Sequence, residues 1–421
     1  MWTVHTDGLS IEEAAEEVLR AWETRAPSIL AYRGRVDAIT APHAAAPDTT
    51  LHAIASGAAA MITTSTRDYP VFVEWDGLHE LGRRLREAGL TRQTYLISDE
   101  TVYRRYGSQA EDAIRGADIP VDSYTVPPGE ASKSLGVASD IYDWLVEHRA
   151  ERGHAIVALG GGMVTDLAGF VAATFARGLP LVHVPTSLLG MVDAAIGGKV
   201  AVNHPQAKNM IGCFYQPRLV LADIATLRTL PERDRRAGWA EVIKHALIAN
   251  EELLAFLEEN AERILALDPE LTTEAVRRSV AVKAGFVSAD EREETGYRTL
   301  LNYGHTVAHA LENATDYGRF LHGEAVAVGM TVAAAISRRL GLLSSDVEAR
   351  QRRLIERFGL PATAPGIDRE RIRAAISLDK KVRGKAVQWV LLEGVGRPLL
   401  RDDVPLAVVE EALDEALAGG G

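Results

Sequence analysis

The chain has 421 residues, of which 47% are hydrophobic and 25% charged, a composition that excludes a disordered or fibrous protein and gives length enough for two domains. Lys and Arg number 46 against 58 Asp and Glu, a net charge of -12, which argues against nucleic acid or an anionic membrane as partner and leaves any small anionic substrate to a local basic pocket. Cys213 is the single cysteine, so an intramolecular disulfide is excluded and a reducing, cytoplasmic setting is expected, with no signal peptide and no apolar run near the ~20 residues a bilayer requires.

In chain order, residues 9 to 23 put Ser10 and Glu13 in capping-box spacing ahead of an apolar face of Ile11, Ala15, Val18, Leu19 and Trp22, which predicts a helix. Pro, Ala and Thr crowd residues 40 to 50, so residues 1–65 read as an appendage and linker before a fold that begins near Tyr69. From there β-rich runs (VFVEW, TYLIS, VDSYTV, AIVAL, LVHVP and LVLAD) alternate with helical patterns. That alternation predicts an α/β domain over 66–232 with a mostly parallel, Rossmann-like sheet. After Pro231 the 3.6-residue period dominates, so 233–421 reads as a mainly helical domain. Near its end AVQWVLLEGVGRPLLR predicts a strand pair with a Gly turn, followed by a helix near 405 to 418 and a frayed Gly-Gly-Gly terminus.

Four groups of residues carry chemistry. AIVALGGGMVTDLAGF runs a strand into Gly160, Gly161 and Gly162 and then a helix bearing Asp166. Glycines there let backbone amides approach a pyrophosphate, although a tight structural turn uses the same residues. GGKVAVNHPQAKNMIG gathers Lys199, Lys208 and Asn209 among glycines, a cradle for phosphate or carboxylate if the lysines are not simply solvated. Glu241, His305, His309 and His322 are metal candidates: His305 and His309 share a helix face at i, i+4, and either or both could ligate beside Glu241 and His322. A cationic and amide set, Lys283, Arg298, Asn302, Lys380 and Lys381, could equally be helical surface charge. His183, inside LVHVP, reads as a core histidine.

Six blocks in order, PPGEASKS, GGGMVTDLAGFVAATFARG, VPTSLLGMVDAAIGGKVAVNHPQAKNMIGCFYQP, LPERDRRAGWAEVIKHALI, RTLLNYGHTVAHALE and LHGEAVAVGM, resemble the dehydroquinate synthase family over roughly residues 70 to 400. The resemblance implies a homodimeric cyclase with an NAD-binding α/β half, a helical half holding Zn or Co, and an active site between them. Carried over by position, Glu241, His305 and His322 are the metal ligands and His309 an acid–base residue, with Glu294 a second one. NAD would contact Asp99, Glu130, Lys133, Gly161, Gly162, Asp166, Thr186, Ser187 and Lys208. An anionic sugar phosphate would contact Arg177, Asp193, Lys199, Asn209, Lys244, Lys283, Arg298, Asn302 and one of Lys380 and Lys381. Lys199, Arg298 and Asn302 would share in catalysis.

The implied reaction takes 3-deoxy-D-arabino-heptulosonate 7-phosphate to 3-dehydroquinate and phosphate, with a hydride lent to NAD and returned. The chain departs from the family pattern at Thr101, Met191, Ala194, Ala195 and Val200. Residues 1–65 lie outside it, and TVHTDGLSIEEAAEEVLRAW resembles the C-terminal tail of shikimate kinase over one helix. Alternatives are a related cyclase for sedoheptulose 7-phosphate or glucose 6-phosphate, such as a 2-epi-5-epi-valiolone synthase, or an inactive nucleotide-binding homologue. The cationic set favours the acidic substrate, and a glycerol dehydrogenase type of enzyme would not need the GGK and KN cradle.

Overall fold

The computed structural model describes residues 57–383 and 387–418 and, apart from 377–383, their side chains. The helix expected over 9 to 23 lies outside them. Two edge-side strands, β1 (Ala60–Ile62) and β2 (Tyr69–Glu74), are followed by β3 (Thr94–Asp99), β4 (Val121–Val126), β5 (Ala155–Gly160) and β6 (Leu181–Pro185). A separate antiparallel hairpin, β7 (Lys199–His204) and β8 (Ala207–Phe214), precedes β9 (Leu219–Asp223). The main sheet has the order β1-β2-β9-β6-β5-β3-β4. All its neighbours are parallel except β1, which returns antiparallel along β2. The fold therefore starts slightly earlier than Tyr69.

Strands β3, β5, β6 and β9 are buried along their whole length, which explains why they read as continuous apolar runs rather than alternating ones. One face of the sheet packs Phe72, Leu96, Val157 and Val182 against α1 (Leu81–Glu87) and α2 (Ser108–Gly116). The other packs Tyr95, Ile97, Ile156 and Ala158 against α3 (Leu135–Glu147) and α4 (Gly162–Thr174). From β3 the chain steps outward to β4, and from β5 it steps the other way to β6. The reversal leaves a crevice at the carboxyl ends of β3 and β5, the place where doubly wound sheets bind ligands. Asp99 ends β3, and Gly161 and Gly162 follow β5.

The rest is helical: α5 (Glu232–Ala249), α6 (Glu251–Leu265), α7 (Pro269–Ala289), α8 (His305–Ala314), α9 (His322–Arg339), α10 (Ser345–Arg357), α11 (Arg369–Arg383) and α12 (Leu406–Ala418). The expected hairpin forms between α11 and α12 as β10 (Trp389–Gly394) and β11 (Arg397–Arg401). Local chemistry starts these helices where the sequence says it should: Asn250 accepts from the Leu253 N–H at 2.8 Å, and Asp268 from Leu271 at 3.1 Å with Pro269 in the first turn. One apolar core joins the halves, because Val71, Val73, Val220 and Ala222 of the sheet sit in the same cluster as Trp239, Ile243, Val276 and Val280 of the helices. Among the described residues no helix is long and apolar enough to cross a membrane.

Two glycines set how closely α9 approaches its neighbours. A Cβ on Gly323 would stand 1.8 Å from the Ala237 carbonyl oxygen of α5, and one on Gly329 would stand 2.0 Å from that of Gly304, just before α8. Bare backbone at these crossings lets three helices converge at one end.

Candidate active site

At that convergence lie three side chains from three helices. Glu241, in the middle of α5, is fully buried. His305 and His322 are the first residues of α8 and α9, and helical side chains lean toward the N-terminus. Their Nε2 atoms stand 3.7 and 3.8 Å from Glu241 Oε1, and the three ligand atoms fall within 4.8 Å of one another. Glu241 Oε1 has no hydrogen-bond partner although buried, a costly state for a carboxylate oxygen unless something cationic meets it. Its other oxygen accepts from the Lys244 ammonium one turn along. One carboxylate and two imidazoles aimed at a common point, with a fourth position open, fit zinc or a similar divalent ion.

Both imidazoles are held from behind. His305 Nδ1 lies 3.3 Å from the Tyr303 carbonyl, and His322 Nδ1 lies 3.2 Å from Glu312 Oε1. Burial first, then Lys244 and the neighbouring histidines, keeps His305 well below the usual imidazole range. At His322 burial acts the same way, but the Glu312 hydrogen bond and the Glu241 carboxylate outweigh it and the shift is upward. His309, one turn after His305, is exposed, with its ring centre 5.6 Å from that of His305 and 6.4 Å from that of His322.

A basic layer flanks this cluster. Asp193, in the turn Gly190–Ala194, pairs with Lys283 of α7. Burial would raise the Asp193 carboxyl, yet Lys283 and Lys244 hold it well below the usual range. Asp193, Glu241 and His245 are also close enough to share an ion, but ammonium groups already occupy both acids, so these residues read as an ion-pair network. His245 is buried with Nδ1 2.8 Å from Ser279 Oγ.

Lys199 Nζ meets Glu293 Oε1 at 2.5 Å, with Arg298 Nε 3.8 Å from the same oxygen. The pair is made by Glu293, next in sequence to the Glu294 that the resemblance singles out as an acid–base residue. Glu294 is exposed. The cause lies in the backbone: the Asp290 carboxylate accepts the N–H groups of Glu294, Thr295 and Arg298, and Glu293 takes a left-handed φ of 59° that turns its side chain toward Lys199. Arg298 is buried and donates to the carbonyls of Gly197 and Glu291 at 3.2 and 2.5 Å. It therefore anchors the loop before Lys199 as well as contributing charge. Asn302 ends the turn Arg298–Asn302 and is exposed.

On the sheet side, Asp99 accepts from Thr101 and Val102 N–H at 2.9 and 3.0 Å. The Lys133 ammonium meets Asp166 at 2.5 Å and also Asn209; burial raises the Asp166 carboxyl to about 6 although Lys133 pulls the other way. Glu130 accepts from Asn203 at 2.7 Å. Gly161 and Gly162 begin α4, where a Cβ would press at 3.3 Å on Ser187 Oγ and the Ala194 methyl respectively. The Thr186 N–H reaches the Gly160 carbonyl at 3.0 Å. Lys208, near the start of β8, lies 4.0 Å over the Tyr317 ring beyond α8, so the hairpin touches the helical half. Arg177 stands apart, exposed at a turn where Ala176, Arg177 and Gly178 all have positive φ. Lys380 and Lys381 belong to α11, with side chains outside the described set. His183 is a core histidine as read, its ring kept neutral by burial at about 3.

Models of the 3-dehydroquinate synthase N-terminal and C-terminal regions match residues 123–237 and 238–382. The chain is 43% identical over 350 residues to the 3-dehydroquinate synthase of Nostoc punctiforme, covering 82% of this chain and 96% of that one. The chain belongs to the 3-dehydroquinate synthase family. Among solved structures this family member is similar to a 2-epi-5-epi-valiolone synthase from Streptomyces hygroscopicus with NAD+ and Zn2+ bound, with a TM-score of 0.76 and 27% identity over 84% of this chain and 98% of that one. It is also similar to a 2-deoxy-scyllo-inosose synthase complexed with carbaglucose-6-phosphate, NAD+ and Co2+, with a TM-score of 0.75 and 29% identity over 85% of this chain and 99% of that one.

Sequence reasoning missed three parts of this synthase-family site. Glu293 was hidden by its neighbours, since three acids in Glu291–Glu294 give no spacing that selects one. Glu312 sits one turn past His309 in the HTVAHALE run, and i, i+7 from His305 was the available signal. The Tyr69 hydroxyl, which accepts from the Gly197 N–H at 3.0 Å, comes from a strand 128 residues away and left no local trace.

Proposed function

We infer that this chain converts 3-deoxy-D-arabino-heptulosonate 7-phosphate to 3-dehydroquinate and phosphate, as the phosphate lyase and cyclase of the shikimate pathway that feeds aromatic amino acid synthesis. The observation that carries the reading is the buried, unpartnered Glu241 Oε1 facing His305 and His322 beside a layer of lysines. Glu241, His305 and His322 would hold Zn or Co, and the crevice of Asp99, Glu130, Lys133, Gly161, Gly162, Asp166, Thr186, Ser187 and Lys208 would hold NAD. When bound, these groups supply Lewis acidity toward substrate hydroxyls and a hydride acceptor that is restored within the cycle.

The chain's own residues do the rest. Lys244, Lys283, Lys199 and Arg298 hold the carboxylate and phosphate ends, so positioning and preorganised charge supply much of the rate. Asp193 neutralises Lys283 until an anionic substrate arrives. Glu293 aims the Lys199 ammonium, and the exposed His309 moves a proton at the open side of the site. Residues 66–232 together with β1 serve NAD, and 233–421 serve metal and substrate. The assembly is a homodimer working in the cytoplasm.

The test is phosphate release from heptulosonate phosphate assayed beside sedoheptulose 7-phosphate, with and without NAD and chelator. Turnover of the acidic sugar, lost on chelation, is expected. Preference for sedoheptulose 7-phosphate would move the chain to the related cyclases.

A further inference from the structure

We propose that Glu312 is a positioning residue of the metal site, fixing the ring of His322 so that Nε2 faces the ion. The inference deepens the function proposed above and rests on its metal reading. Imidazole binds a cation through whichever nitrogen lacks the proton, and the hydrogen bond made by the other nitrogen decides which that is. At His322 the decision falls to Glu312: its Oε1 lies 3.2 Å from Nδ1. A carboxylate can only accept, so it takes Nδ1–H and leaves the Nε2 lone pair 3.8 Å from Glu241 Oε1.

The two histidines are not backed equally. His305 is oriented by a neutral carbonyl, that of Tyr303, two residues away on the same backbone. His322 starts a different helix and depends on a side chain from α8, ten residues earlier in the chain. Glu312 thus ties α8 to the start of α9 through the ligand itself. Removing an orienting partner of this kind lowers metal affinity by about 10–100-fold.

Three proteins decide it: the unaltered chain, Glu312→Gln and Glu312→Leu, each stripped of metal and titrated with Zn2+, with Co2+ absorption reporting ligand geometry. Glu312→Leu should bind Zn2+ about 10–100-fold more weakly. Glu312→Gln, whose amide oxygen still accepts from Nδ1–H, should lose less. NAD affinity and the melting temperature of the metal-free proteins should move little, separating positioning from a fold defect. Equal Zn2+ affinity and an unaltered Co2+ spectrum in Glu312→Leu would overturn the role of Glu312. Absence of Zn2+ binding by the unaltered chain would instead overturn the metal site on which both readings rest.

Discussion

Glu293 and Glu294 are chemically identical neighbours with opposite fates, and the difference is one backbone angle. A left-handed φ at Glu293 sends its carboxylate to Lys199, while Glu294 faces solvent. The pair with Lys199 is half exposed, so it adds under about 1 kcal/mol to stability, and its value lies in aiming an ammonium. Glu293→Gln should therefore lower kcat/KM by about 100-fold with little change in melting temperature, and Glu294→Gln, at the position to which the resemblance gives an acid–base role, should lower kcat by about 100-fold or more. An unchanged kcat/KM in Glu293→Gln would contradict the aiming role. At this scale the sequence was informative through its resemblance to the family, which carried over Glu241, His305 and His322, whereas spacing alone left His305 and His309 as alternatives. It was silent where conformation decides, because three acids within four residues, Glu291, Glu293 and Glu294, carry no record of which one turns inward.

Among the elements, α9 is the most constrained, buried along most of its length and crossing α5 and the start of α8 at glycines. Gly323→Ala would drive a methyl into the Ala237 carbonyl at 1.8 Å, and because Gly323 follows His322 the damage reaches the metal site. A loss of about 1–3 kcal/mol in urea unfolding is expected, together with weaker Zn2+ binding. Gly285 in α7 gives the contrast, with nothing within 4 Å of an added Cβ. Gly285→Ala should stabilise by about 0.5–1 kcal/mol. Unchanged stability in the first variant would refute the tight crossing. The helices and buried strands were legible because period and length are written locally. Hairpin β7–β8 was not: seven of the eight β8 residues are exposed, so no alternation marks a buried face, and its glycines and lysines drew attention as a cradle instead.

For the whole molecule, alternation of strands and helices announced a parallel sheet, but strand order depends on contacts between distant segments and left no pattern to read. Nor did composition show that the two halves share a core. Val71, Val73, Val220 and Ala222 pack in one apolar cluster with Trp239, Ile243, Val276 and Val280, so neither half can expose its interface without opening that cluster. Calorimetry of the metal-free chain should therefore give a single cooperative transition for the region from β1 to α12. Two resolved transitions would show that the halves melt independently.

The placement of His305 and His322 at the very first positions of α8 and α9 means that two helix macrodipoles end, positive pole forward, on the same small volume. Negative charge gathering on an oxygen there is met by peptide groups as well as by side chains. Truncating side chains one at a time would leave that contribution in place, so their summed losses would understate how strongly the site favours an oxyanion.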